Sequence, residues 1–246
     1  MLERRRLAVA VLGAALTLCA TAPEASAQWY FAAYLGGSHT RAATISIDRP
    51  ADGVSLEIHD VQFEERSLKS PQYYGLRFGR ALGADRRVLI EVEWIHPKAY
   101  SRTDRVYDIT GDAGRFADVI RPPAPMNALV SQYAMSHGMN FLLVNVGVRA
   151  PVAGKPLAFV ARGGAGPMFP HAESTFNGET REQYEFGGLG LHAAAGVDLR
   201  VYRGISSVIE YKFTFGRPEI TIVDGTGRIT AVTHHLAVGV AFGTPR

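Results

Sequence analysis

The side chains in this sequence that could do chemistry are imidazoles and carboxylates. There are eight histidines, and four short strings set imidazoles, or an acid and a base, close together: Ser136-His137-Gly138-Met139-Asn140, Pro170-His171-Ala172-Glu173, Glu210-Tyr211-Lys212 and His234-His235. Imidazole with carboxylate suits a divalent transition metal that keeps open coordination positions, and also general acid–base work near neutral pH. His137, His171, Glu173 and His235 are therefore the candidate metal ligands. A two-histidine, one-carboxylate set drawn from them would suit oxygen chemistry at iron or a related metal. Glu210 and Lys212 share one face of a strand, either as an acid and base for catalysis or as an interior ion pair. Ser136 precedes His137, but adjacency does not put a hydroxyl on an imidazole, so a serine deacylase needs more than this string. None of the strings is a specific motif; a polar rim that packs loops would use the same residues. Thiol chemistry is excluded, because the only cysteine, Cys19, falls in the N-terminal leader described below.

The elements that must position these residues have a period of two. Ile205, Ser207, Ile209, Tyr211, Phe213 and Phe215 alternate with Ser206, Val208, Glu210, Lys212 and Thr214. Further on, Leu236, Val238, Val240 and Phe242 alternate with Ala237, Gly239 and Ala241. A large apolar face opposite a small or polar one suits a narrow closed barrel with lipid outside. A lipocalin-like soluble barrel would need an apolar interior, whereas Arg77, Glu91, Glu93, Arg149, Arg162, Asp198, Arg200, Glu210 and Lys212 all face inward and must pair. The same alternation predicts six earlier strands, at 29–40, 73–80, 88–96, 137–149, 157–168 and 188–201. Tight turns at 82–85, 151–156 and 202–204 alternate with long segments at 41–70, 97–136, 170–183 and 216–233. Short turns on one side and long loops on the other are the asymmetry of an outer-membrane barrel. Strand parity turns His137 and His235 inward at the looped mouth and His234 outward.

Arg4, Arg5 and Arg6, the apolar run Leu7 to Leu18 and the Ala25-Ser26-Ala27 site predict a cleaved Sec-type signal peptide at 1–27, followed by one barrel domain at 28–246. Leu18 is too bulky to precede a lipidated cysteine, so Cys19 is not read as an anchor. The apolar fraction of 47% and a mean hydropathy near zero fit no helical membrane protein, and no later run of apolar residues is long enough for a spanning helix. A formal charge of +3 gives no reason to expect nucleic acid.

The strand count, turn placement and near-terminal Phe242 resemble the OmpA/OmpX-like family of eight-stranded antiparallel up-and-down outer-membrane barrels, over residues 28–246. That resemblance implies an outer-membrane location, contact with lipid and lipopolysaccharide, and a monomer, but not a function. The histidine and glutamate strings over roughly residues 137–242 are also similar to those of the outer-membrane lipid A oxidases. This second resemblance implies metal- and oxygen-dependent oxidation of the proximal glucosamine of lipid A to an aminogluconate, and carries over no residue role. The alternative is a non-catalytic structural or adhesive surface protein.

Overall fold

The computed structural model describes residues 28–243, and the leader expected at 1–27 lies outside the described residues. The first half of the chain forms β1 (Gln28–Thr40), β2 (Ala43–Arg49), β3 (Val54–Val61), β4 (Phe63–Glu64), β5 (Tyr74–Leu82), β6 (Val88–His96), β7 (Ala99–Ser101), β8 (Val106–Tyr107), β9 (Ile109–Ala113) and β10 (Ala124–Pro125). The second half forms β11 (Val130–Met135), β12 (Phe141–Pro151), β13 (Leu157–Pro167), β14 (His171–Phe176), β15 (Glu179–Tyr184), β16 (Leu189–Tyr202), β17 (Ile205–Gly216), β18 (Glu219–Ile222), β19 (Gly225–Ile229) and β20 (Ala231–Phe242). Strands β1, β5, β6, β12, β13, β16, β17 and β20 close into one antiparallel barrel, each bonded to its successor and β20 bonded back to β1. The fold is the all-β, eight-stranded up-and-down barrel that the alternation predicts.

Two expectations are corrected. The fourth barrel strand starts at Phe141 rather than His137, because Gly138 (φ 91°) and Asn140 (φ 46°) adopt left-handed backbone that cannot continue a strand. The long segments are not irregular loops either. They build a head of two five-stranded sheets, β18-β19-β2-β3-β9 and β15-β14-β11-β7-β4, with β8 and β10 paired beside them. Residues 44–47 and 54–63 already alternate like strands in the sequence. The β14–β15 hairpin turns on Asn177 (φ 48°) and Gly178 (φ 83°), the Asn-Gly pair that a tight two-residue hairpin favours.

The head and the upper barrel share one apolar core. Ile45, Ile47, Leu56 and Ile58 from the head pack in the same cluster as Tyr34, Ile95, Phe141 and Leu143 from the barrel. Below that core the barrel holds an ionic layer. The outside is a belt of exposed Leu, Val, Ile and Phe side chains, among them Leu35, Phe78, Val92, Val146, Leu191, Ile209 and Val238. Trp29 stacks on Phe78 at 5.0 Å near the end away from the head, the sort of aromatic flank that marks a lipid interface. On β12, Leu142 and Val146 point outward and Asn145 is buried, with Val144 on the outward side. In a bilayer, Val144→Arg should cost roughly 2–4 kcal/mol, the penalty for charge on a lipid-facing strand near mid-depth. Urea titration of protein folded in lipid vesicles measures this; parent-like stability would mean that this face does not meet lipid.

Candidate functional site

The residues singled out by the sequence divide between two places. Glu210, Lys212 and His235 lie inside the barrel, while His137, His171 and Glu173 lie in the head just beyond the barrel mouth.

Inside, Glu210 and Lys212 are 1% and 0% exposed, so no external substrate reaches them. They belong to a balanced layer of three acids, Glu91, Glu93 and Glu210, and three bases, Arg77, Arg162 and Lys212. Arg77 donates to Glu93 at 2.7 Å and to Glu210 at 2.5 and 3.1 Å. Lys212 Nζ lies 2.8 Å from Glu93 and 2.7 Å from Glu210, and Arg162 reaches both Glu91 at 2.9 Å and Glu210. Neutral donors complete the layer: Asn145 donates to Glu93 Oε2 (2.6 Å), Tyr34 to Glu93 Oε1 (2.6 Å) and Tyr30 to Glu91 Oε1. Arg200, expected to face inward with these charges, is exposed and takes no part. Glu210 and Lys212 are thus buried ion-pair partners, the second of the two roles that their spacing allows. A cavity beside the layer measures about 10 Å³ among Tyr30, Arg77, Arg149, Arg162 and Asp198, room for roughly one water. The barrel is plugged by its own side chains.

His235 also leaves the expected ligand set. It points into the barrel, as parity requires, where it is 2% exposed, accepts or donates at Thr214 Oγ1 (2.9 Å) and packs on Tyr73. Its cross-strand neighbours, Ser38 and Lys212, place it deeper in the barrel than the histidines of the head.

In the head, His137 and His171 meet. The turn at 136–140 lies between β11 and β12, so His137 is exposed rather than directed inward by strand parity. His171 opens β14 and is 7% exposed. A backbone clamp holds the two segments together: Ser136 N–H donates to His171 C=O (3.1 Å), and His171 N–H donates to Gly138 C=O (3.0 Å). Asn140 locks the turn, its Nδ2 donating to the carbonyls of His137 (3.0 Å), Gly138 (3.2 Å) and Phe169 (3.0 Å) while its Oδ1 bonds His96 Nδ1 (2.7 Å). A Cβ at Gly138 would lie 2.5 Å from the His96 ring, so this position requires glycine for space as well as for φ.

Within this frame His137 Nδ1 lies 3.2 Å from His171 Nδ1, and His171 Nε2 lies 3.2 Å from Glu182 Oε1. Ligand atoms of His137, His171 and Glu182 all fall within 4.8 Å of one another. Burial, and then the neighbouring His137, holds the His171 ring below the ordinary imidazole range, which keeps it neutral and able to donate a lone pair. Glu173 stays on the same sheet face but is not part of this cluster. Register is the reason: Glu173 stands directly opposite Glu182 on β15, and Tyr184 stands opposite His171. Two carboxylates directly opposite one another are unfavourable unless a cation is near. Glu182 was not foreseen, because its strand reads as polar loop until the Asn177-Gly178 turn is recognised as a hairpin. The cluster stands beside exposed aromatics: Tyr184, 64% exposed, has its ring 4.3 Å from His171, and Phe186 is 62% exposed. Leu189, at the mouth end of β16, begins the apolar belt immediately after them.

No protein-family model matches the chain, and no curated protein matches it in sequence. Among solved structures, the chain is similar to Neisserial surface protein A at 9% identity, with a TM-score of 0.43, over 89% of this chain and 99% of that one. It is similar to the outer membrane protease OmpT from Escherichia coli at 6% identity, with a TM-score of 0.45, over 88% and 97% of the two chains. The outer membrane protein OprG from Pseudomonas aeruginosa is similar at 10% identity, with a TM-score of 0.40, over 89% and 95%. These similarities follow the course of the chain and assign no residue a role.

Proposed function

We propose that this protein is an outer-membrane barrel whose external rim performs metal-dependent chemistry on lipid A. The observation that carries the reading is the convergence of His137, His171 and Glu182 on rigid backbone outside a plugged barrel. Two imidazoles with a carboxylate nearby suit a divalent transition metal and leave positions open. The apolar belt and the exposed Tyr184 and Phe186 beside the cluster support a location at headgroup height in the outer leaflet, where the sugars of lipid A lie.

In the oxidation implied by the resemblance, the anomeric carbon of the proximal glucosamine, as its hemiacetal, gives two electrons and two protons to dioxygen. The products are a lactone and hydrogen peroxide, and water then opens the lactone to the aminogluconate. A bound metal would supply Lewis acidity and electron exchange. The chain's own part is to hold the histidines in one orientation through Asn140 and the 136–171 clamp, and to present the sugar at the aromatic edge. A second reading, a non-catalytic adhesive surface protein, is favoured by the size of the head, two five-stranded sheets whose apolar core is continuous with that of the upper barrel. Mass spectrometry of lipid A from cells with and without this gene separates the two. The enzyme reading expects a gain of one oxygen atom that depends on the gene; identical lipid A in both strains leaves the surface protein.

A further inference from the structure

Resting on the metal reading of the rim, we infer that the coordinating face consists of His137 Nδ1, His171 Nδ1 and Ser136 Oγ, that Glu182 acts from outside the coordination sphere, and that the ion is a redox-active, nitrogen-preferring late first-row metal. Four distances carry this assignment. The two Nδ1 atoms are 3.2 Å apart, and Ser136 Oγ lies 3.0 Å from His171 Nδ1 and 3.3 Å from His137 Nδ1. Metal–nitrogen bonds of about 2.0–2.1 Å at a tetrahedral angle set two ligand atoms about 3.3 Å apart. The three atoms therefore already stand at the spacing of one face of a tetrahedron.

The fourth distance places Glu182. Its carboxylate lies 3.2 Å from His171 Nε2. The two nitrogens of an imidazole point away from each other, so a carboxylate at Nε2 is on the far side of the ring from an ion at Nδ1. A carboxylate there accepts the Nε2 proton, fixes the tautomer with the lone pair on Nδ1, and orients the ring, which is the usual outer-sphere arrangement for a metal-binding histidine. Ser136 is 4% exposed, and the Tyr100 hydroxyl donates to its carbonyl (3.1 Å), so its backbone is held in place. Two neutral imidazoles and a hydroxyl provide no anionic oxygen, which argues against calcium and magnesium and for nitrogen-preferring late metals.

The test uses the full mature chain folded in detergent micelles and cobalt(II) as the probe, read by its visible d–d absorption and by metal content. The parent should bind one cobalt with a tetrahedral-type spectrum, and His137→Ala or His171→Ala should abolish it. Glu182→Gln keeps an oxygen to accept the Nε2 proton and should stay within about tenfold of the parent, whereas Glu182→Ala should weaken binding roughly 10–100-fold, as loss of an outer-sphere partner does. Ser136→Ala should change the spectrum. Circular dichroism confirms that each variant is folded. The assignment is overturned if Glu182→Gln loses cobalt as completely as His171→Ala while Ser136→Ala leaves the spectrum unchanged, since the ion would then sit at Nε2. If the parent binds no cobalt, nickel or copper, the metal reading itself falls, a result distinct from a misplaced ion.

Discussion

Replacing Arg77 with alanine should destabilise the barrel by roughly 3–5 kcal/mol, the cost of leaving buried charge uncompensated. Arg77 is 1% exposed and joins three carboxylates from two other strands, Glu91 and Glu93 on β6 and Glu210 on β17. Its removal leaves Glu93 to Lys212 and the neutral donors Asn145 and Tyr34, and Glu210 to Lys212 and Arg162, with three acids facing two bases. Glu91 keeps Arg162 at 2.9 Å. The layer cannot take up much water, because the adjoining space is so small. Urea unfolding in micelles, followed by Trp29 and Trp94 fluorescence, measures the loss. A companion variant, Arg77→Met with Glu210→Gln, removes a charge of each sign and should recover part of the stability, because an intact buried ion pair is often no better than a well-packed neutral substitute. A loss below about 1 kcal/mol for Arg77→Ala would mean that the layer is solvated and behaves like surface ion pairs.

The barrel was legible in the sequence because each spanning strand has two chemically different faces. Alternation assigned Glu91, Glu93, Arg162, Glu210 and His235 to the inside, and Leu142, Val146 and Leu236 to the outside, as found. The head was less legible because its sheets are short, pair across distant segments and bury their faces against one another. The partner of β2 on one side is β19, far along the chain, and no local pattern announces that pairing. The cluster of His137, His171 and Glu182 was only partly legible in the sequence, for two separate physical reasons. Strand parity was extended through Gly138 and Asn140, where left-handed backbone ends the strand and releases His137 from it. The carboxylate was sought next to His171 in sequence, at Glu173, whereas an antiparallel hairpin brings Glu182 to it from the facing strand. Glu210 and Lys212 looked like an acid–base pair because spacing alone cannot tell a catalytic pair from a buried ion pair; the three-dimensional neighbours Arg77, Arg162 and Glu93 decide it.

The proposed division between a reactive rim and a structural interior leads to the second large effect. His171→Ala should abolish lipid A modification, because it removes a candidate metal ligand, while the plugged barrel still folds, since His171 stands on β14 in the head. His235→Gln should leave the modification in place, because His235 is sealed among Thr214, Tyr73 and Lys212 and faces no external molecule. The most direct measurement is mass spectrometry of lipid A from a strain lacking the gene and complemented in turn with the parent, His171→Ala and His235→Gln, each confirmed as folded in the outer membrane. The predicted result is lipid A carrying the added oxygen with the parent and His235→Gln, and unmodified lipid A with His171→Ala. Modified lipid A in the His171→Ala strain, or its loss only in the His235→Gln strain, would contradict the assignment of the chemistry to the rim.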